Sequence, residues 1–242
     1  MIQPGSQNQK GYNNVMKRIS VRLLAFLYAT VLWVPALTKA DAPSTVNADE
    51  ALKLLLAGNQ RFVEGNLKSV TQDEMAHRRA ELVQGQKPFA VVLCCSDSRV
   101  GPELVFDQEL GNLFVVRTAG EVLDAAGIGS IEYAVAHLGS PLLLVLGHEH
   151  CGAVAAAVAD AKEPGHIANI VKAIRPAVAK TTGEPGDPLQ NAVRANVQHI
   201  AAQLRSTGPV LSEAVKAGRL KVQGAVCSLT TGKVEQVADG LK

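Results

Sequence analysis

Apolar residues fall into two patterns along this chain. Phe89-Ala90-Val91-Val92-Leu93, Leu113-Phe114-Val115-Val116 and Leu142-Leu143-Leu144-Val145-Leu146 are short continuous runs, the pattern of strands buried on both faces. Leu220 to Leu229 alternates in character and reads as a final strand. Between the runs the period lengthens. Asn47-Ala48-Asp49-Glu50 opens a helix as a capping box, with Asn47 as N-cap and Glu50 at the third helical position. Leu52, Leu55, Leu56 and Phe62 give that helix an apolar face, and Gly65 is its stop. Further helices are predicted over Gln72 to Val83, Ile128 to Leu138, Cys151 to Ala161 and Asn191 to Leu204, while Glu163 to Gly186 mixes a helix with Pro, Gly and Thr breaks. Strands of this kind alternating with helices predict an α/β fold. It has a mostly parallel central sheet of about four strands covered by helices, with an N-terminal helical extension.

Length and charge refine that picture. The 242 residues suit one domain with an extension, and 47% hydrophobic content is enough for a sizeable core. Of 24 basic and 22 acidic residues, five basic and no acidic ones lie in residues 1–40, leaving 19 against 22, a net −3, for residues 41–242. The basic balance therefore belongs to the N-terminal segment, and no nucleic-acid partner is expected. Lys17 and Arg18, the apolar stretch Val21 to Leu37 and the small residue Ala40 read as a secretory signal, with Met16 a natural initiator. An uncleaved anchor is the alternative, since the stretch falls just short of the usual span of ~20 residues. The expected layout is a signal peptide over 1–40, a polar linker over 41–47 and one domain over 48–242. The mature protein would be periplasmic or otherwise exported, and off the membrane after cleavage.

Two islands carry the chemistry: Cys95-Ser96-Asp97-Ser98-Arg99 and His148-Glu149-His150-Cys151-Gly152. Each follows an apolar run, so each sits where a buried strand ends, and neighbouring strand ends form the ligand crevice of an open α/β sheet. Two thiolates and an imidazole there are three zinc-type donors, and three protein ligands with one open position is the pattern of a catalytic zinc. If the strand continues through Arg99, Cys95, Asp97 and Arg99 share a side, and Arg99 holds Asp97 by a fork of donors and lowers its pKa. Cys151, at a helix N-terminus, is placed to favour a thiolate.

With these residues in place, the chain resembles the β-class carbonic anhydrases from about Gln86 to Val158, with weaker echoes to the C-terminal strand. Phe106-Asp107-Gln108, Phe114-Val115-Val116-Arg117 and Ile131-Glu132-Tyr133-Ala134-Val135 match as well. The resemblance implies zinc on Cys95, His148 and Cys151, an Asp97–Arg99 dyad that orients the reacting water, and Gln86 as a substrate-side residue. It implies reversible hydration of carbon dioxide to bicarbonate, with the active site at a dimer interface, hence a homodimer or a multiple of dimers. Rival readings are a carbon disulfide or carbonyl sulfide hydrolase on the same fold, and a non-catalytic zinc-binding protein. One departure stands out. A regulatory bicarbonate site in some members uses a tryptophan where this chain has Val92, so Arg117 matches only half of that site.

The remaining candidates have plainer readings. His150 is expected to face solvent, and Tyr133 to line the site or pack on its helix. Cys94 and Cys227 read as small buried hydrophobes, with a disulfide between them compatible with export.

Overall fold

A computed structural model describes residues 46–238. The expected signal peptide and almost all of the linker lie outside the described residues. The chain enters through helices α1 (Ala48–Val63) and α2 (Gln72–Leu82), and then alternates. Strand β1 (Ala90–Cys95) is followed by α3 (Pro102–Val105), β2 (Leu113–Thr118), α4 (Ala125–Ala136) and β3 (Leu142–His148). Helices α5 (Gly152–Val158), α6 (Ile167–Val178), α7 (Pro188–Ser206) and α8 (Val210–Lys216) come next, and β4 (Lys221–Cys227) and β5 (Val234–Val237) close the described chain. No helix among the described residues is long and apolar enough to cross a membrane.

The sheet has five strands in the order β2-β1-β3-β4-β5, one more than the apolar runs predict. β1 pairs in parallel with both β2 and β3, β3 with β4 likewise, and the short β5 returns antiparallel along β4. The connections leave β1 in opposite directions, first to β2 and later to β3. The crevice at a reversal of this kind is the ligand position of doubly wound sheets. Here it is bounded by the C-terminal ends of β1 and β3.

Alternation along the strands sorts the core into two layers. Val91, Leu93, Leu143, Val145 and Val222 pack with Ile131, Val154, Ile174, Val197 and Leu211 from α4 to α8. Ala90, Val92, Cys94, Leu144 and Leu146 pack on the other face with Ala51, Leu52 and Leu55 of α1 and with Val105 and Phe106. Every residue of β1 and β3 is buried, which is why their sequences are unbroken apolar runs.

Helix α1 begins with the capping box read from sequence: Asp49 and Glu50 peptide N–H groups donate to Asn47 Oδ1, and the Asn47 N–H donates to Glu50. It is tied into the fold at Asn59, whose amide donates to the Val105 and Gly232 carbonyls and accepts from the Val234 N–H. At Gly58 the helix meets the loop after α3 so closely that a Cβ would lie 1.7 Å from the Phe106 carbonyl oxygen. Helix propensity favours Ala over Gly by about 1 kcal/mol, whereas forcing a methyl group into a packed contact costs about 1–3 kcal/mol. Gly58→Ala is therefore expected to lower the melting temperature by several degrees. An unchanged or raised melting temperature would show that α1 is loosely seated.

Candidate metal centre

The parallel register puts Cys94 of β1 opposite Leu146 of β3, so the next residues of each strand, Cys95 and Gly147–His148, emerge side by side at the crevice. Cys151 follows three residues later as the N-cap of α5. The donor atoms of Cys95, His148 and Cys151 all lie within 4.8 Å of one another, and the two sulfurs are 4.0 Å apart. Zinc–sulfur bonds of ~2.3 Å in tetrahedral geometry place two sulfurs roughly 3.8 Å apart, so the pair is already at a zinc-binding separation.

The histidine presents its ring in the right sense. Its Nδ1 lies 2.8 Å from the Glu149 carbonyl oxygen, which can only accept, so Nδ1 carries the proton and Nε2 offers a lone pair. That Nε2 is buried without a hydrogen-bond partner. An orphaned buried acceptor beside two buried sulfurs fits a soft divalent metal, and an S, N, S donor set favours zinc.

Without metal the sulfurs share a proton unequally. The hydrogen bond from Cys151 is the main reason that Cys95 falls to about 4, helped against burial by His148 and by the Gly120 peptide N–H at 3.2 Å. Cys151, as donor in that pair and buried, is pushed up. Burial alone would lower His148, but its contacts with Cys95 and Glu149 outweigh burial and the net shift is upward. Metal binding therefore releases protons.

Asp97 and Arg99 differ from their sequence reading in one respect. β1 ends at Cys95, so strand alternation does not place them. A turn does: the Arg99 peptide N–H donates to Asp97 Oδ1 at 2.9 Å, while Nε and an Nη donate to the two carboxylate oxygens at 2.9 and 2.7 Å. This fork is the main reason that Asp97 is held well below the usual carboxylate range. Asp97 Oδ2 sits 3.8 Å from His148 Nε2, so the dyad borders the donor cluster. His150 is exposed as expected, and its carbonyl accepts from Arg99 at 3.4 Å.

Other residues settle as follows. Arg117 gives its guanidinium to the carbonyls of Cys95, Asp97 and Val100, at 2.8, 2.6 and 3.4 Å from one nitrogen, and so braces the loop that displays Cys95 and Asp97. Val92 is fully buried in the core. Tyr133 is half exposed on α4, beside Phe114 and His137. Cys94 and Cys227 are free buried thiols, and burial raises Cys94 to about 12. Strand β3 lies between their strands, so about two interstrand spacings of ~4.8 Å separate them, beyond disulfide reach.

Gln86 is not brought to the cluster within one chain. It is exposed in the loop before β1, at the opposite end of the strand from Cys95. At ~3.3 Å per residue the strand alone interposes roughly 17 Å.

Glu121 and Asn196 escaped the sequence reading. Glu121 is 1% exposed and burial pushes it up to about 8. Its Oε1 accepts from Asn196 at 3.0 Å, and Oε2 has no partner.

Cys95→Ser, His148→Ala and Cys151→Ser are each expected to abolish stoichiometric zinc retention after gel filtration, by elemental analysis. Full zinc content in any one of them would remove that residue from the ligand set.

Comparison with known proteins agrees with this geometry. The carbonic anhydrase family profile matches residues 90–234. Carbonic anhydrase 2 of Mycobacterium tuberculosis is 41% identical over 195 residues, covering 79% of this chain and 93% of that protein. The carbonic anhydrase of Mycolicibacterium smegmatis is 40% identical over 193 residues, covering 78% and 93%. Among solved structures, the beta-carbonic anhydrase CcaA superposes with a TM-score of 0.60 at 27% identity, covering 76% of this chain and 94% of that one. Profile, relatives and fold agree, and the chain belongs to the β-class carbonic anhydrase family.

Proposed function

We propose that this protein catalyses the reversible hydration of carbon dioxide to bicarbonate and a proton. The observation that carries the reading is the buried Cys95–His148–Cys151 cluster bordered by an arginine-held aspartate. Zinc held by Cys95, His148 and Cys151 would lower the pKa of water, to about 7 in a well-studied example, and so supply a nucleophile near neutral pH.

The protein's own groups supply orientation. Asp97, ionised and gripped by three Arg99 donors, is acceptor-only. It takes the hydrogen bond of the reacting water and leaves a lone pair facing carbon dioxide. Arg117 keeps the loop backbone still while this happens. Gln86 reaches a site only from a second copy of the chain. A dimer is further supported by α2, which buries no residue within its own chain, and by the exposed Val83, Leu104 and Leu110. For location, we propose export with cleavage near Ala40, supported by the acid-free 40-residue N-terminus.

Stopped-flow hydration of carbon dioxide by the zinc-loaded protein is the deciding measurement. Turnover well above the uncatalysed rate is expected. A zinc-replete protein that leaves carbon dioxide alone but hydrolyses carbon disulfide or carbonyl sulfide would shift the reading to a hydrolase, and one inert to all three would make it a zinc-binding protein. Arg99→Ala removes the fork and frees Asp97 to leave its place beside the donor cluster. Misplacement on this scale costs about 10²-fold, so Arg99→Ala and Asp97→Asn should each lose about that much turnover while keeping zinc. Near-wild-type turnover of Arg99→Ala at pH 7 would make the pair structural.

Intact mass of the protein from the periplasm of its native host should begin at or near Asp41. A soluble cytoplasmic form retaining Met1 or Met16 would refute export.

A further inference from the structure

Glu121 and Asn196 form a buried polar pair that the hydration reaction does not use. Each is 1% exposed. They lie 75 residues apart in sequence, and one side-chain amide joins them. Asn196, on α7, donates from Nδ2 to Glu121 Oε1 and to the Gly120 carbonyl oxygen, both at 3.0 Å. The same Gly120 donates its peptide N–H to Cys95 Sγ at 3.2 Å.

Holding this arrangement is costly. Glu121 sits at φ 46°, the left-handed region that a residue with a side chain seldom adopts, and one oxygen of its carboxyl group is buried without a partner. Gly120 is also left-handed, at φ 65°, and a Cβ there would lie 2.7 Å from Ile174 Cδ1 and 3.0 Å from Ala153 Cβ. Strained backbone and an unsatisfied buried group persist where the surroundings over-determine them, and they collect around functional centres. The surroundings here are specific: one residue, Gly120, accepts from Asn196 through its carbonyl and, across its Cα, donates its N–H to a metal-ligand sulfur.

We infer that Asn196 and Glu121 are positioning residues of the metal centre, fixing Gly120 by the peptide unit on one side of its Cα so that the N–H on the other side is donated to the Cys95 sulfur. A hydrogen bond to a thiolate withdraws some of the electron density it gives a metal and orients its lone pairs, the task of outer partners in metal sites. Asn196 grips Gly120 by its carbonyl oxygen, which restrains the left-handed Gly120 backbone and with it the direction of the N–H, and Glu121 holds Asn196 in place. The inference rests on Cys95 being a zinc ligand.

Cobalt substitution tests both parts separately. Wild-type protein loaded with Co2+ is expected to show thiolate-to-cobalt charge-transfer absorption. In Asn196→Ala and Glu121→Ala that band should move to lower energy. Zinc affinity, measured by chelator competition, should fall about 10–100-fold, the usual cost of losing an outer partner. Glu121→Gln keeps the oxygen that accepts from Asn196, so its band and affinity should stay near wild type. Asn196→Asp, nearly the same shape but without the amide donors, serves should the alanine variants fail to fold by circular dichroism. Folded alanine variants or a folded Asn196→Asp with the wild-type band and affinity would overturn the inference; a purely packing role predicts that outcome for the nearly isosteric Asn196→Asp. Absence of thiolate charge transfer in the wild type would instead overturn the zinc reading and the inference with it.

Discussion

Slipping β1 by one residue against β3 would turn Cys95 to the opposite face of the sheet, away from His148 and Cys151. The parallel pairing of Ala90–Cys94 with Leu142–Leu146 is therefore the constraint on which the metal centre depends. That pairing is secured on both faces. α1 covers one through Ala51, Leu52 and Leu55, while α5 to α8 cover the other. Most of the molecule's apolar burial thus serves to fix the relative height of two strand ends.

The register brings the donors together, and main-chain groups then set their chemistry. A carbonyl, that of Glu149, fixes the His148 tautomer. A peptide N–H, that of Gly120, steadies the Cys95 thiolate. Three carbonyls in the Cys95–Val100 loop are satisfied by Arg117. Glu149 is itself anchored, its carboxylate accepting from the Ser228 hydroxyl and the Leu229 N–H at 2.9 Å each. Buried dipoles of this kind need no reorganisation when charge changes at the site. They exist only because secondary structure delivers them in fixed directions.

What the sequence made legible follows from how local the physics is. The capping box at Asn47 and the apolar strands depend on neighbours a few residues away, and both are read directly. Two helices begin three residues earlier than the apolar period suggests, α4 at Ala125 and α7 at Pro188. Their caps, Asp124 and the Asp187-Pro188 pair, are start signals in their own right. β5 is four residues long, with the exposed Glu235 and Gln236 between two buried valines. Such a strand carries too little pattern to stand out from a loop. The cluster of Cys95, His148 and Cys151 was legible because each motif holds its spacing locally and follows a recognisable strand. Glu121 and Asn196 were not, because their partnership exists only once α7 packs across the sheet.

Cys94 and Cys95 show how finely this architecture divides adjacent residues. Both are buried, both lie on β1, and both have the same side chain. Cys94 faces the α1 side among aliphatic residues, where burial outweighs the attraction of the Arg117 charge and raises its pKa. Cys95 faces the crevice, where Cys151, His148 and the Gly120 N–H all meet its sulfur, and its thiolate is favoured. A thiolate is what a metal binds. Neither exposure nor residue type separates the two. The period of the strand does, by giving one sulfur to the apolar layer and the next to the donors at the strand's end.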